Sequence, residues 1–89
     1  MPHDFIDTDD GNYSVLDETG HGLPDASAAR RLALRALADM AADTLPDGDR
    51  RMLTVRVREA DGAPVYAAEL ALNGAWMREP SGREDDGTL

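Results

Sequence analysis

The chain contains no cysteine and no lysine, and each absence narrows the functions open to it. Without thiols it can form no disulfide and offer no thiolate nucleophile. All its basic side chains besides histidine are arginines, which a coding bias toward Ala, Arg and Asp explains more simply than a guanidinium surface for carboxylates or phosphates. It also has no run near the roughly 18 apolar residues of a membrane span, and no signal-peptide pattern. We therefore expect a soluble cytoplasmic protein with no membrane partner.

The residues that are present suit one thin domain. The length of 89 residues is that of a single domain, and 14 of the 37 hydrophobic residues are alanine, so few large side chains remain to fill a core. The formal net charge is −9, although residues 26–58 carry seven arginines against four aspartates. The overall charge argues against general binding to nucleic acid or to anionic lipid.

A first hairpin is predicted from strands at residues 3–9 and 12–17. The dipeptide Asp10-Gly11 between them is typical of a tight turn, because Gly tolerates positive φ. A two-residue loop there pairs Ile6 with Val15 and Phe5 with Leu16. Apolar residues then face each other on both sides of the ribbon, so the pattern leaves open which side is buried.

A helix from Ala26 to about Thr44 is the most strongly predicted single element. The span has no Gly, no Pro and no β-branched residue before its last position, and Asp25 supplies an N-cap carboxylate. The residues that share its apolar face are Ala29, Leu32, Ala33, Ala36, Leu37 and Met40.

The charges on this helix oppose its macrodipole. Arg30 and Arg31 lie in the first two turns, where each positive charge is unfavourable by about 0.3–1 kcal/mol. Such a placement predicts a compensating group. An acid from the first hairpin of the same chain is favoured over a group from another molecule.

A second hairpin is predicted from strands at residues 52–59 and 64–73, joined by a turn at Asp61-Gly62. That turn pairs Val57 with Tyr66, Val55 with Ala68, and Leu53 with Leu70. The alternation of apolar residues independently puts the same positions on one face. The outer face then presents Thr54, Arg56, Arg58, Val65, Ala67, Glu69 and Ala71.

The hydrophobic pattern ends at Asn73. Residues 1–73 are therefore predicted to form one α+β domain of order β-β-α-β-β, with an antiparallel sheet of about four strands and the helix packed on one face. Residues 74–89 are predicted to form a flexible acidic tail. Trp76 and Met77 are apolar exceptions in it, and packing on the chain's own surface is favoured over anchoring to a partner.

The acidic first hairpin is the one candidate metal site. A calcium loop starting at Asp7 needs Gly at its sixth position, but Gly11 is the fifth and no helix precedes it. His3 and His21 lack the spacing of a zinc motif. Weak binding of a divalent metal or a small ligand at this hairpin is one alternative function.

Catalytic motifs are missing from the sequence. None of Ser14, Ser27 and Ser81 has the glycine neighbours of a nucleophile elbow, and there is no Gly-rich phosphate loop. A core this small leaves little room for a deep pocket. We therefore expect no enzyme activity, no catalytic residue and no cofactor.

The uncovered sheet face and the helix arginines form the candidate interaction surface. Its residues are Arg30, Arg31, Arg35, Arg56, Arg58 and Trp76. They predict a non-enzymatic interaction or regulatory module that forms a homodimer or docks a protein partner. The alternative is an antitoxin-like or nucleic-acid-associated regulator, disfavoured by the net charge, that uses Arg30, Arg31, Arg35, Arg50 and Arg51.

The order of short motifs resembles a known family. The motifs are Phe5-Ile6-Asp7, Asp10-Gly11, Asp17-Glu18-Thr19-Gly20, Leu23-Pro24-Asp25, Ala28-Ala29-Arg30, Leu53-Thr54-Val55-Arg56-Val57-Arg58 and Asp61-Gly62-Ala63-Pro64-Val65. In this order and spacing, residues 3–73 resemble short bacterial proteins known only as a domain of unknown function. The resemblance implies the hairpin–helix–hairpin fold and carries no activity or site residues. A fainter similarity, at the level of fold alone, is to antitoxins of the HicB type.

Overall fold

The computed structural model describes residues 3–78 and shows one helix packed on an antiparallel sheet. Its elements are β1 (His3–Asp9), β2 (Ser14–Val15), β3 (His21–Gly22), α1 (Ala26–Thr44), a 3-10 turn (Leu45–Asp47), β4 (Arg50–Glu59) and β5 (Pro64–Asn73). The α+β class is confirmed. There are five strands because the predicted second strand is reduced to β2, and β3 is a further short strand in the segment predicted as the turn and approach to the helix. Of the predicted tail, residues 79–89 lie outside the described part of the chain.

The two hairpins lie side by side in one sheet. The strand order is β2-β1-β4-β5, and β3 also pairs with β1. β1 and β4 are therefore central and antiparallel, with Ile6 opposite Val57 and Thr8 opposite Val55. Within residues 3–78, no helix has the length and hydrophobicity needed to cross a bilayer.

The predicted register of the second hairpin is confirmed. Leu53 faces Leu70, Val55 faces Ala68 and Val57 faces Tyr66. The register then shifts between Val57 and Arg58, so that Pro64 lies opposite Arg58. A bulge at this position lets the strand continue past a proline that has no N–H to donate.

The predicted register of the first hairpin is wrong by two residues. Val15 faces Thr8 rather than Ile6, because the loop has four residues and the N–H of Asp10 donates to the carbonyl of Tyr13 at 3.1 Å. The Asp10 carboxylate accepts from the N–H of Asn12 at 2.9 Å and of Tyr13 at 2.8 Å. These side-chain bonds stabilise the wider loop.

Helix α1 has the predicted bounds and the predicted cap. The Asp25 side chain accepts a hydrogen bond from the N–H of Ala28 at 2.8 Å. The buried core joins three helix residues to three β4 residues, namely Ala29, Ala33, Leu37, Leu53, Val55 and Val57. These six residues confirm the core positions predicted from the two patterns.

The rest of the helix face is rotated relative to the prediction. Leu34 and Ala41 pack against the core, whereas Leu32 and Ala36 are half-buried outside that cluster. The rotation brings Arg30 toward β5, where its guanidinium lies 5.8 Å from the centre of the Tyr66 ring. A cation over an aromatic face at this distance is attractive.

The structure also decides which side of the first hairpin is buried. Ile6 packs against the core on the helix side, and Asp4 is buried. Because side chains alternate along a strand, Phe5, Asp7 and Asp9 then lie on the opposite face of the sheet. We call the face of the sheet away from the helix the open face.

Candidate interaction surface

Charged side chains of both signs lie on the open face. Pairing of β1 with β4 places Phe5 opposite Arg58 and Asp7 opposite Arg56. The opposite charges of Asp7 and Arg56 on facing strands stabilise the sheet. Pairing of β4 with β5 places Ala67 on the other side of Arg56. The predicted outer positions of the second hairpin thus lie on one surface together with the outer side of β1.

Arg58 is the most constrained residue of this face. Its Nε donates to Asp7 Oδ2 at 2.7 Å and its Nη2 to Asp7 Oδ1 at 3.2 Å. Nη2 also donates to the carbonyl of Asp17 at 3.0 Å, and the guanidinium lies 4.8 Å from the centre of the Phe5 ring. Hydrogen bonding to Arg58 lowers the pKa of Asp7, and the same bond raises the pKa of Arg58. Arg58 therefore stabilises the sheet and is not available as a single cation for a partner.

Asp17 holds the segment that follows β2 against the edge of β1. Burial raises the pKa of Asp17, but N–H groups that donate to its carboxylate, from Gly20, Ile6 and Thr19, leave that pKa below its ordinary value. Its own N–H donates to Asp7 Oδ1 at 2.9 Å, and His21 Nε2 lies 3.2 Å from Asp17 Oδ2. A carboxylate that accepts several backbone N–H groups is strongly oriented.

The acidic residues of the first hairpin bind backbone groups and do not form a metal cluster. Asp9 accepts from the N–H of Gly11 at 2.7 Å, which lowers its pKa, and from the hydroxyl of Ser14 at 2.8 Å. Hydrogen bonds from the N–H groups of Tyr13 and Asn12 lower the pKa of Asp10. Between residues 3 and 78, no three His, Asp or Glu side chains converge in a way that could hold a metal ion.

The predicted interaction residues do not form one surface. Arg56 is exposed and Arg58 half-buried on the open face, whereas Arg31 and Arg35 are exposed on α1, on the other side of the sheet. Between residues 3 and 78, Arg58 forms an ion pair with Asp7, and His21 contacts Asp17. The expected acid for the helix arginines is therefore not supplied by the first hairpin, because Asp7, Asp9 and Asp17 bind groups of their own face.

Trp76 is also placed differently from the favoured expectation. It lies just past β5 with 70% of its surface exposed, and Met77 beside it is 97% exposed. Both residues extend away from the core instead of packing on it. The chain thus presents a large aromatic side chain to its surroundings at one end of β5.

The unpaired edge of β5 is a feature that the sequence did not locate. Within the described sheet, β5 pairs only with β4, so one side of a ten-residue strand has no strand beside it. Glu69 is its one charged residue, and Leu70 is 40% exposed although it faces the helix side. The sequence could not locate this edge because it does not give the strand order: either strand of the second hairpin could have lain beside β1, which would leave the other at the edge of the sheet.

Two shallow cavities lie on the open face. The larger has a volume of about 480 Å³ and lies beside the β4–β5 turn, where its lining includes Arg56, Gly62, Pro64 and Ala67. The smaller, of about 340 Å³, lies between β1 and β2 and includes Leu16 in its lining. Asp7 and Arg56 border both cavities. Their polar groups are aspartates, arginines and hydroxyls, and in the smaller cavity the Ser14 hydroxyl donates to Asp9, a carboxylate whose lowered pKa makes it a weak base.

Comparison with known proteins gives one match. The model of a family described as Domain of unknown function (DUF6894) matches residues 5–71. A search of the curated proteins found no match, and a search of the solved structures found none either. The matched segment includes all the helices and strands except the first two residues of β1 and the last two of β5, and it ends before Trp76.

Proposed function

Since the chain belongs to the DUF6894 family, a family described only as a domain of unknown function, we propose its function from the geometry of the sheet. The domain is a non-enzymatic interaction module that pairs with a second copy of itself through the edge of β5. The observation that carries this proposal is the difference between the two edges of the sheet.

The edge beyond β1 is protected against strand addition. β2 and β3 are two residues long each, and the segment between them is tied to β1 through Asp17. Among residues 3–78, the β5 edge is less protected: the strand is ten residues long, its Pro and its bulge lie only at its first two positions, and it carries one charge. A long edge strand with few charges is a template for pairing with another strand.

A second copy is the partner that suits this edge. Helix α1 packs mainly on β4, which leaves Leu70 partly uncovered at the rim of the sheet. If two β5 strands pair antiparallel about a two-fold axis at Ala68, Leu70 faces Tyr66 of the second copy and Glu69 faces Ala67. This register covers the exposed apolar rim and places no like charges opposite each other. An axis at Glu69 would instead bring two carboxylates together.

The arginine distribution gives less support to a nucleic-acid regulator. The exposed arginines lie on two opposite sides of the sheet, so one duplex or strand cannot contact all of them at once. The formal net charge of −9 adds long-range repulsion from phosphates.

The proposal is tested by light scattering of the full chain over a dilution series, with two substitutions at Ala67. Ala67→Glu places a carboxylate opposite Glu69 of the second copy, twice in the dimer, whereas Ala67→Gln places a neutral side chain of the same shape there. At about 0.2–1 kcal/mol for each cross-strand pair, we expect Kd to rise roughly 2- to 30-fold for Ala67→Glu and to change little for Ala67→Gln.

Circular dichroism provides the folding control, because Ala67 is exposed and both variants should keep the wild-type spectrum. A wild-type chain that stays monomeric at millimolar concentration would exclude the proposal. Equal dimerisation of the two variants would exclude the register.

A further inference from the structure

We propose that Trp76 of each copy occupies the larger open-face cavity of the other copy. This inference rests on the β5 pairing described above, and it names a second contact that the pairing creates. Two features of β5 lead to it: Trp76 is exposed just past one end of the strand, and the larger cavity lies at the other end.

Trp76 is a residue that a binding partner can use as an anchor. It is 70% exposed, and the neighbouring Met77 is 97% exposed. A buried tryptophan removes about 150–250 Å² from water, and tryptophan is among the residues that carry most of the energy of interfaces. Single exposed apolar residues are ordinary on protein surfaces. Trp76, however, follows directly on β5, a strand whose outer edge is unpaired in the described sheet.

The larger cavity has the groups that bind an indole. Its volume is about 480 Å³, and it is bordered by the apolar residues Pro64, Val65 and Ala67 and by two arginines. Arg58 is fixed by Asp7, whereas Arg56 is exposed and, among residues 3–78, forms no ion pair with an acid. Trp offers the best aromatic face for a cation–π pair, and Arg is the cation found most often in such pairs.

Within one chain the two features cannot meet. The cavity lies at the Pro64 end of β5 and Trp76 follows the Asn73 end, and ten extended residues at about 3.3 Å each separate them by roughly 33 Å. Antiparallel pairing about Ala68 removes this separation. It places Leu72 opposite Pro64 of the second copy, so that the chain after Asn73, which includes Trp76, begins beside the β4–β5 turn and the cavity of that copy.

The size of the interface also favours this contact. A stable protein interface buries about 1,600 Å² in total, which is much for a single pair of strands to supply. The two symmetry-related tryptophans would together add about 300–500 Å². The same two-fold axis creates both contacts at once.

The test uses the fact that the chain contains one tryptophan. Fluorescence emission and light-scattering mass are measured on the same dilution series of the full chain. We expect the emission maximum to move to shorter wavelength as the mass doubles. Trp76→Ala should raise the dimer Kd at least tenfold, and Met77→Ala, a matched change at the adjacent exposed residue, should raise it less.

Arg56→Ala tests the cavity side of the contact. It should raise the dimer Kd roughly 5- to 30-fold and reduce the emission shift, since two cation–π pairs are lost. Arg35→Ala removes the same charge from the exposed side of α1 and should change neither quantity.

The outcomes separate this inference from the proposed function. A dimer whose emission maximum equals that of the monomer would overturn the placement of Trp76 and leave the β5 pairing intact. An emission maximum that lies at short wavelength at every concentration would show that Trp76 packs on its own chain. That result would also overturn the placement of Trp76 in the cavity of the second copy. A chain that never dimerises would overturn both.

Discussion

The two hairpins of this domain are stabilised by different interactions. In the hairpin of β4 and β5, Leu53, Val55 and Val57 are at most 1% exposed, and their alternation determines the register. In the hairpin of β1 with β2 and β3, carboxylates of Asp10 and Asp17 bind backbone N–H groups and determine where the chain turns. The comparison shows that a hydrophobic pattern predicts a register where one face is buried, and predicts it poorly where side-chain hydrogen bonds shape the loop.

The largest effect in this comparison is expected from truncation of a buried side chain in the second hairpin. Leu53 is fully buried, so Leu53→Ala should lower the free energy of unfolding by about 2–5 kcal/mol. Ile6→Ala in the first hairpin should cost less, because Ile6 is only half-buried. Urea unfolding of the two variants measures both values. A greater loss for Ile6→Ala would contradict the placement of the core on β4.

The next effect compares a glycine of each hairpin. Gly62 has φ of +93°, and no atom lies within 4 Å of the position that a Cβ would take. Gly62→Ala should therefore lower the free energy of unfolding by about 1–2 kcal/mol, the cost of a left-handed backbone for a residue with a side chain. Gly20 has φ of +78°, and a Cβ there would lie 2.5 Å from His3 Cδ2 and 2.9 Å from Phe5 Cε2. Gly20→Ala should therefore cost more than Gly62→Ala. Thermal unfolding compares them, and equal costs would mean that the two rings move aside freely.

A smaller effect is expected from acid, and it should originate in the first hairpin. The pKa values of Asp7 and Asp17 are lower in the folded chain than the ordinary value of 3.8, so the unfolded chain takes up protons first. Their stabilisation is complete above that value and is lost as the pH falls through the folded pKa values. Unfolding free energies measured between about pH 6 and pH 2.5 should fall, with the loss concentrated below about pH 5.

Asp7→Asn should make this pH dependence shallower, since it removes one of the carboxylates whose pKa is lowered in the folded chain. Asp39→Asn removes the same charge from the exposed surface of α1 and serves as the control. If both variants gave the same slope as the wild type, the bond between Asp7 and Arg58 would not be a source of acid sensitivity.

The smallest effect is expected at the two turns. Asp10→Ala removes the acceptor for the N–H groups of Asn12 and Tyr13, so amide hydrogen exchange in β2 should accelerate while global stability changes little. Asp61→Ala removes one bond, to the N–H of Ala63 at 2.9 Å, in a hairpin whose register the core already determines. Exchange in β5 should then remain unchanged. Acceleration in β5 to the same degree as in β2 would remove the contrast between the hairpins.

The sequence by itself determined the elements that depend on local chemistry and on one buried face. The helix bounds, the Asp25 cap and the pairing of Leu53 with Leu70 all follow from neighbours in the chain or from a period of two. The resemblance to a family without known function was likewise readable from motif order, and residues 5–71 match that family.

Only the tertiary structure decided how these pieces meet. The position of β1 beside β4 exposed the edge of β5, paired Arg58 with Asp7, and left Arg31 and Arg35 on the other side of the sheet. These contacts join residues that are distant in sequence. The composition of each segment is compatible with several different arrangements of the strands. The free energy that selects one arrangement comes from burying Ile6 and β4 under the helix, while the half-buried carboxylates of Asp7 and Asp17 accept hydrogen bonds.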